Sequence, residues 1–153
     1  MKYKVESSFE YRGLPCLVLF YDRGHRCGYV GVPEGHQLYE MGERKEYSED
    51  YTEVEMLDTN GGTNFFNHHP KFDEVADVKN YWWIGWDYDH SWDETDGEAW
   101  KEYFPEDMQY SLDHGFRFRH AYDGYTRRAT IPYVAHECQC VVDQIIDGRN
   151  EDD

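Results

Sequence analysis

The stretch "NYWWIGWDYDHSWDETD", Asn80 to Asp96, constrains the fold more than any other. It packs four tryptophans, five carboxylates and one histidine into seventeen positions. On a two-residue period Tyr81, Trp83, Gly85 and Asp87 share one face of a strand, and Trp82, Ile84 and Trp86 share the other. Large apolar side chains on both faces need cover on both, so Tyr81 to Trp86 reads as a central strand. The carboxylates then crowd the loop at its end, which is where sites usually sit. That loop is either a solvated acidic turn or the wall of a site.

A second pattern supplies the strand's neighbours. The run Leu14 to Phe20, the turn "YDRGH" and the run Cys27 to Val32 read as a β-hairpin, stopped by Pro33 and Gly35. Residues 37 to 58 are polar and acidic, and "YTEVEML" alternates like an edge strand. "DTNGGTNFF" is rich in turn signals, and a helical turn is expected after Pro70. "TDGEAWKEYF" reads as a short helix ended by Pro105. In "GFRFRHAYDGYTRR", Phe116 and Phe118 alternate with Arg117 and Arg119, as in a half-buried strand. The last element is the clearest helix. Thr130 caps it, Pro132 fits its first turn, Val134, Ala135, Cys138, Val141, Val142, Ile145 and Ile146 follow helical spacing, and Gly148 ends it. The expectation is α+β: one domain over residues 1–148, a mostly antiparallel sheet with the C-terminal helix on one face, and an acidic tail at 149–153.

Charge narrows the partners. The 153 residues carry 32 acidic and 15 basic side chains, net -17. Duplex nucleic-acid binders show the opposite balance, so direct duplex binding is not expected. An acidic surface either keeps the chain soluble or meets a basic partner, as a nucleic-acid mimic would. Aromatic residues make up 18% of the chain, too many for disorder; surplus rings often line interfaces or stack on planar ligands. There is no run of about 18 apolar residues, and "MKYKVESSFEYRG" has no apolar signal core. A cytoplasmic protein that contacts no membrane is expected. Cys16, Cys27, Cys138 and Cys140 form no CxxC and read as free thiols.

Three clusters carry chemistry. In "HECQC", helical geometry sends Cys138 into the core with Val134, Val141 and Ile145. It sends His136 and Cys140 to the opposite face with Asp143 and Asp147, so the three cannot chelate one ion and a solvated face is expected. "NHHP", with His68 and His69, reads as a surface loop. The basic residues gather at Arg117, Arg119, Arg127 and Arg128, beside His114 and His120, with Arg23, His25 and Arg26 in the hairpin turn. Such a patch either neutralises its acidic surroundings or holds phosphate through arginine forks, with Tyr122 and Tyr125 near enough to stack on a base. Asp87, Asp89, His90, Asp93, Glu94 and Asp96 could hold a divalent ion or act as acid and base. The chain has no G-x-S-x-G, P-loop, H-E-x-x-H or GxGxxG, and no nucleophile with a plain partner, so a binder is favoured over an enzyme.

Three short pieces, "HRCGYVGVPEGHQLY", "NGGTNFF" and "WWIGWDYDHSWD", together resemble a family of small, mostly uncharacterised proteins of bacteriophages and prophage-bearing bacteria. The family pattern is C-G-Y-V-G-V-P-x-G-H-x-x-Y, then H-G-G-L-T-Y, then W-W-x-G-F-D-x-x-H-x-G-D, and a C-terminal helix that "VAHECQCVVDQI" would fill. The likeness spans residues 14 to 146, about a third of them in motifs. It puts Asp87, His90 and Asp93 at the family's Asp, His and Asp, and Gly61 and Gly62 at its glycine pair. Asn60 replaces the family's His, and Trp86 and Tyr88 differ around Asp87. The resemblance implies a small accessory phage protein of the kind that blunts host defences.

Three readings follow. The first is a non-catalytic sponge, possible as a homo-oligomer, that sequesters a small nucleotide-type signal at Gly61, Gly62, Trp83, Asp87, His90, Asp93, Arg117 and Arg119. It needs no cofactor and no metal. The second is an acidic inhibitor of a basic host effector. The third is a metal-dependent hydrolase on Asp87, His90 and Asp93.

Overall fold

The computed structural model describes residues 2–36, 38–39, 59, 65–67, 72, 75, 78–120 and 129–148. Five antiparallel strands form one sheet: β1 (Tyr3–Tyr11), β2 (Leu14–Tyr21), β3 (Arg26–Pro33), β4 (Phe65–Asn67) and β5 (Tyr81–Asp87), in the order β1-β2-β3-β5-β4. Three helices follow: α1 (Gly97–Tyr103), α2 (Pro105–Asp113) and α3 (Ile131–Asp147). The class is α+β, with the C-terminal helix packed on the sheet.

β5 has partners on both sides, and its Trp82, Trp83, Ile84 and Trp86 are all 1% exposed or less. One face meets α3. Cys16, Val18, Val30, Val32, Trp82, Ile84 and Trp86 pack there against Val134, Cys138, Val141, Val142 and Ile145. The other face gathers Leu17, Leu19, Cys27, Tyr29 and Trp83 around Phe72. A third cluster joins Phe20 to Ala99 and Trp100 of α1, with Phe116 and Phe118 against it. Helix α3 runs as its sequence dictates: the Thr130 hydroxyl accepts from the Tyr133 N–H at 3.3 Å, and Gly148 leaves the helix at φ +77°. Among the described residues no helix is long and apolar enough to cross a membrane.

Several local expectations change. Tyr3–Tyr11 is a full strand, although its alternation is diluted by Glu6, Ser7 and Ser8. Pro105 does end α1, but it also opens α2, because a proline at the first helical position gives up an N–H that would be orphaned anyway. Residues 116–120 are not a ladder strand. Phe116 and Phe118 turn inward onto Trp100, the Phe116 N–H donates to the Ser111 carbonyl at 2.9 Å, and Arg119 pairs with Thr95. There the Thr95 N–H donates to the Arg119 carbonyl, and the Arg119 N–H donates to the Thr95 hydroxyl, each at 2.9 Å. The Phe72 region shows one turn bond, Val75 N–H to Phe72 O at 3.0 Å. "YTEVEML", His68, His69 and residues 121–128 lie outside the described residues.

The β2–β3 turn is shaped by a close approach. Gly24 sits at φ +93°, and a Cβ there would lie 2.7 Å from the Trp100 ring, whose indole N–H donates to the Asp22 carbonyl. Gly24→Ala is therefore expected to cost about 1–3 kcal/mol in urea unfolding, from a strained φ and a displaced buried ring. A variant as stable as the wild type would show that the ring has room to move.

Candidate functional site

Two neighbouring places gather chemistry. The first is the loop after β5. Asp93 is fully buried, and its Oδ2 accepts the His90 backbone N–H at 3.0 Å and meets His90 Nδ1 at 2.9 Å. The Asp93 N–H returns a bond to the His90 carbonyl at 2.9 Å. Asp93 thus closes a tight turn on its own histidine. His90 stacks on Trp92 with ring centroids 4.4 Å apart and planes 3° from parallel. Asp87 Oδ1 accepts the Asp89 N–H at 3.1 Å and lies 3.8 Å from His90 Nδ1. A straight strand would set Asp87 and His90 on opposite faces; the turn closed by His90 and Asp93 brings Asp87, His90 and Asp93 together.

Arg119 joins this loop to the 116–120 segment. Its Nη2 donates to Asp89 Oδ1 at 2.8 Å and its Nε to the Asp93 carbonyl at 2.9 Å. Its fork is occupied by the loop it braces. Arg117 is exposed. Trp83 is 1% exposed in the second core, and its indole N–H donates to the Val78 carbonyl at 2.7 Å. It builds the sheet and does not line the loop. Gly61 and Gly62 lie outside the described residues. Among the described residues no group of three His, Cys, Asp or Glu side chains is placed to hold a metal ion.

His25, in the β2–β3 turn, faces the same loop. It stacks on Tyr21, its Nδ1 is buried without a hydrogen bond, and Asp89 Oδ2 lies 3.8 Å away. Burial pushes its pKa below the ordinary imidazole range, against the pull of Asp89 and Asp87.

The second place is a cavity of about 570 Å³ lined by Arg26, Thr95, Gly97, Lys101, Phe118 and His120, with Glu94, Asp96 and Glu98 at its acidic side. Arg26 is its fixed wall. The guanidinium is 6% exposed and donates to Glu6 Oε1 at 2.6 Å, Glu6 Oε2 at 3.0 Å, Asp96 Oδ2 at 2.7 Å and the Ala129 carbonyl at 2.9 Å. It also lies over the Phe20 ring, 5.2 Å from the centroid. Glu6 reaches it because β1 slips register between Val5 and Ser7, a bulge that turns the Glu6 side chain inward. Asp96 also caps α1 through the Ala99 N–H at 3.1 Å. Burial opposes the charge on Arg26, but Glu6 and Asp96 more than offset this and its pKa is raised. Sequence reasoning placed Arg26 in a basic turn patch and missed its role. The available signal was its position at the start of an apolar strand, where a charged side chain must be paired.

Arg26→Met leaves the Glu6 carboxylate, itself without exposed side-chain surface, lacking its main partner. The expected loss is about 3–5 kcal/mol in urea unfolding, and an unchanged midpoint would show that water reaches Glu6. His25 gives a pH dependence of definite sign. Its folded pKa is depressed, so its contribution is complete above the unfolded value of about 6.5 and is lost as pH falls through and below it. The melting temperature should drop on acidification across that window, and His25→Asn should flatten the slope. An unaltered slope in His25→Asn would assign the drop to other groups.

Set against known proteins, the chain matches no family model, no curated protein and no solved structure.

Proposed function

We propose that the chain is a non-catalytic binding protein that holds a small nucleotide-type ligand in the cavity between α1 and the 116–120 segment. The observation that carries this is the mixed lining of that cavity, within the size range of small-molecule pockets. Phe118 offers a ring for a base, Lys101 and His120 offer charge or hydrogen bonds to a phosphate, and Glu94 and Glu98 can accept from the N–H edge of a base. A mononucleotide or cyclic nucleotide, with one phosphate and a donor-bearing base, suits this balance of signs better than a polyphosphate. Arg26 lines the cavity but is held by Glu6 and Asp96, and Arg119, outside the lining, is held by Asp89, so neither arginine is offered as a phosphate clamp. The role of a phage anti-defence sponge in a host cytoplasm rests on the motif resemblance alone.

A second reading is supported by α2. This nine-residue helix has no buried residue; it exposes Tyr110 (65%), with Glu106 and Asp113 also exposed. An acidic helix with an exposed tyrosine suits a basic protein partner.

The test is a thermal-shift screen of linear and cyclic mononucleotides, followed by release of any hit and chromatography. A stabilising ligand recovered intact, with affinity about five- to tenfold weaker in Lys101→Ala, is the expected result. Recovery as product would replace binding by catalysis. No shift with any nucleotide would overturn the cavity reading and leave the acidic helix, whose partner binding should weaken steeply with salt.

A further inference from the structure

The β2–β3 turn holds an imidazole beside the loop that braces the cavity wall. His25 is largely buried, with its ring stacked on Tyr21. Its Nδ1 is enclosed and makes no hydrogen bond among the described residues. Asp89 Oδ2 lies 3.8 Å from that nitrogen, about 1 Å beyond a charge-assisted bond. The other oxygen of the same carboxylate is engaged: Asp89 Oδ1 accepts from Arg119 Nη2 at 2.8 Å. Arg119 carries the wall. Its N–H donates to the Thr95 hydroxyl, its carbonyl accepts the Thr95 N–H, and its neighbours Phe118 and His120 line the cavity together with Thr95. One carboxylate therefore stands between a fixed cation in the wall and a turn residue that becomes a cation on protonation.

We infer that His25 is a proton-operated release for the 116–120 wall: the protonated imidazole draws Asp89 away from Arg119, and the wall opens. A carboxylate that closes the 3.8 Å gap to His25 loosens its hold on the guanidinium. Every charge that faces His25 enters the balance. Asp89, in the loop after β5, and Asp87, at the end of β5, favour the imidazolium. Arg119 from the wall and Arg23 in the same turn oppose it, and burial opposes it most. With the wall closed the balance is against the proton, and the pKa is lowered. With the wall open the ring meets water, and its pKa returns towards about 6.5. The proton therefore binds the open form more tightly. Closure is complete above about pH 6.5 and is lost as pH falls through and below that value. The consequence for a nucleotide-type ligand, weaker binding in acid, rests on the cavity reading; the release itself does not.

The experiment is amide hydrogen exchange on the unliganded full chain, read by NMR between about pH 7.5 and about pH 5.5, above the carboxylate range. The Thr95 and Arg119 amides, which bond across the wall, report its opening; the Val141 amide, in the core of α3, reports global unfolding. The expected result is that Thr95 and Arg119 are less protected than Val141 at both ends of the range. Their protection, corrected for intrinsic exchange, should fall about five- to tenfold on acidification. His25→Asn, which cannot take up the proton, should hold it level, with His25→Gln in its place should the first variant not fold. Asp89→Asn, which weakens the hold on Arg119 at every pH, should show low protection throughout. A flat profile in the wild type, a fall that persists without His25, wild-type protection in Asp89→Asn, or Thr95 and Arg119 amides protected as well as Val141 would each overturn the proposal. Exchange needs no ligand, so a failed nucleotide screen leaves the release standing, and a flat profile leaves the nucleotide reading standing.

Discussion

The fold turns on one buried charge. Arg26 stands at the start of β3, and four bonds leave its guanidinium for three separate parts of the chain. Glu6 brings in β1, Asp96 brings in the cap of α1, and the Ala129 carbonyl brings in the residue before the cap of α3. Tyr103 closes the circle by donating from α1 to Glu6 Oε2 at 2.9 Å. A buried ion costs several kcal/mol of desolvation, and the attraction repays this only when every donor is satisfied. Here the satisfaction is shared among elements far apart in sequence. No two of them can separate without leaving a charge in the core. The bulge in β1 belongs to this arrangement: a regular strand would pair Glu6 with β2 and send its side chain away.

The aromatic surplus has a structural destination. Trp82, Trp83, Trp86 and Trp100 are all 1% exposed or less, and only Trp92 reaches the surface, at 39%. The tryptophans sit where the backbone comes close enough to receive them. Gly28 is under the Trp86 ring, at 2.6 Å from where a Cβ would be, as Gly24 is under Trp100. Rings laid over glycines let the indoles pack directly on the backbone. The cavity wall at Phe118 repeats the device against Gly97.

What was legible in the sequence was whatever a local pattern decides. The hairpin around "YDRGH", the two-faced strand at Tyr81–Asp87 and the capped helix ending at Gly148 all follow from periodicity and turn chemistry. The strand β1 was not legible, because its bulge breaks the alternation at Glu6, and a bulge is a response to Arg26 twenty residues on. Helix α2 was hidden because Pro105 is both a stop and a start. The Asp87, His90 and Asp93 cluster was legible as a cluster, since a single turn joins its members. Whether it sits on an open face was not, and Asp93 proves to be buried beneath its own histidine. The arginine patch divides for the same reason. Arg117 and Arg119 alternate as read, but only the tertiary fold gives Arg119 the Asp89 carboxylate and the Asp93 carbonyl.

These pairings change how the charge of the chain should be understood. Arg12 at the β1–β2 turn donates to Asp143 and Asp147 of α3, Arg26 to Glu6 and Asp96, Arg119 to Asp89, and Lys2 to Asp107 of α2. In a chain with about twice as many acids as bases, each of these four cations is drawn to a carboxylate from another part of the chain and becomes a staple. Among the described residues, Glu106 and Asp113 on α2 and Glu94 and Glu98 at the cavity lie outside these staples. On the proposed nucleotide-binding reading, the ligand would offer hydrogen-bond donors to Glu94 and Glu98 and its phosphate to Lys101. Selectivity in such a site comes from the base edge more than from the phosphate, because the carboxylates reject an anion that brings no donors with it.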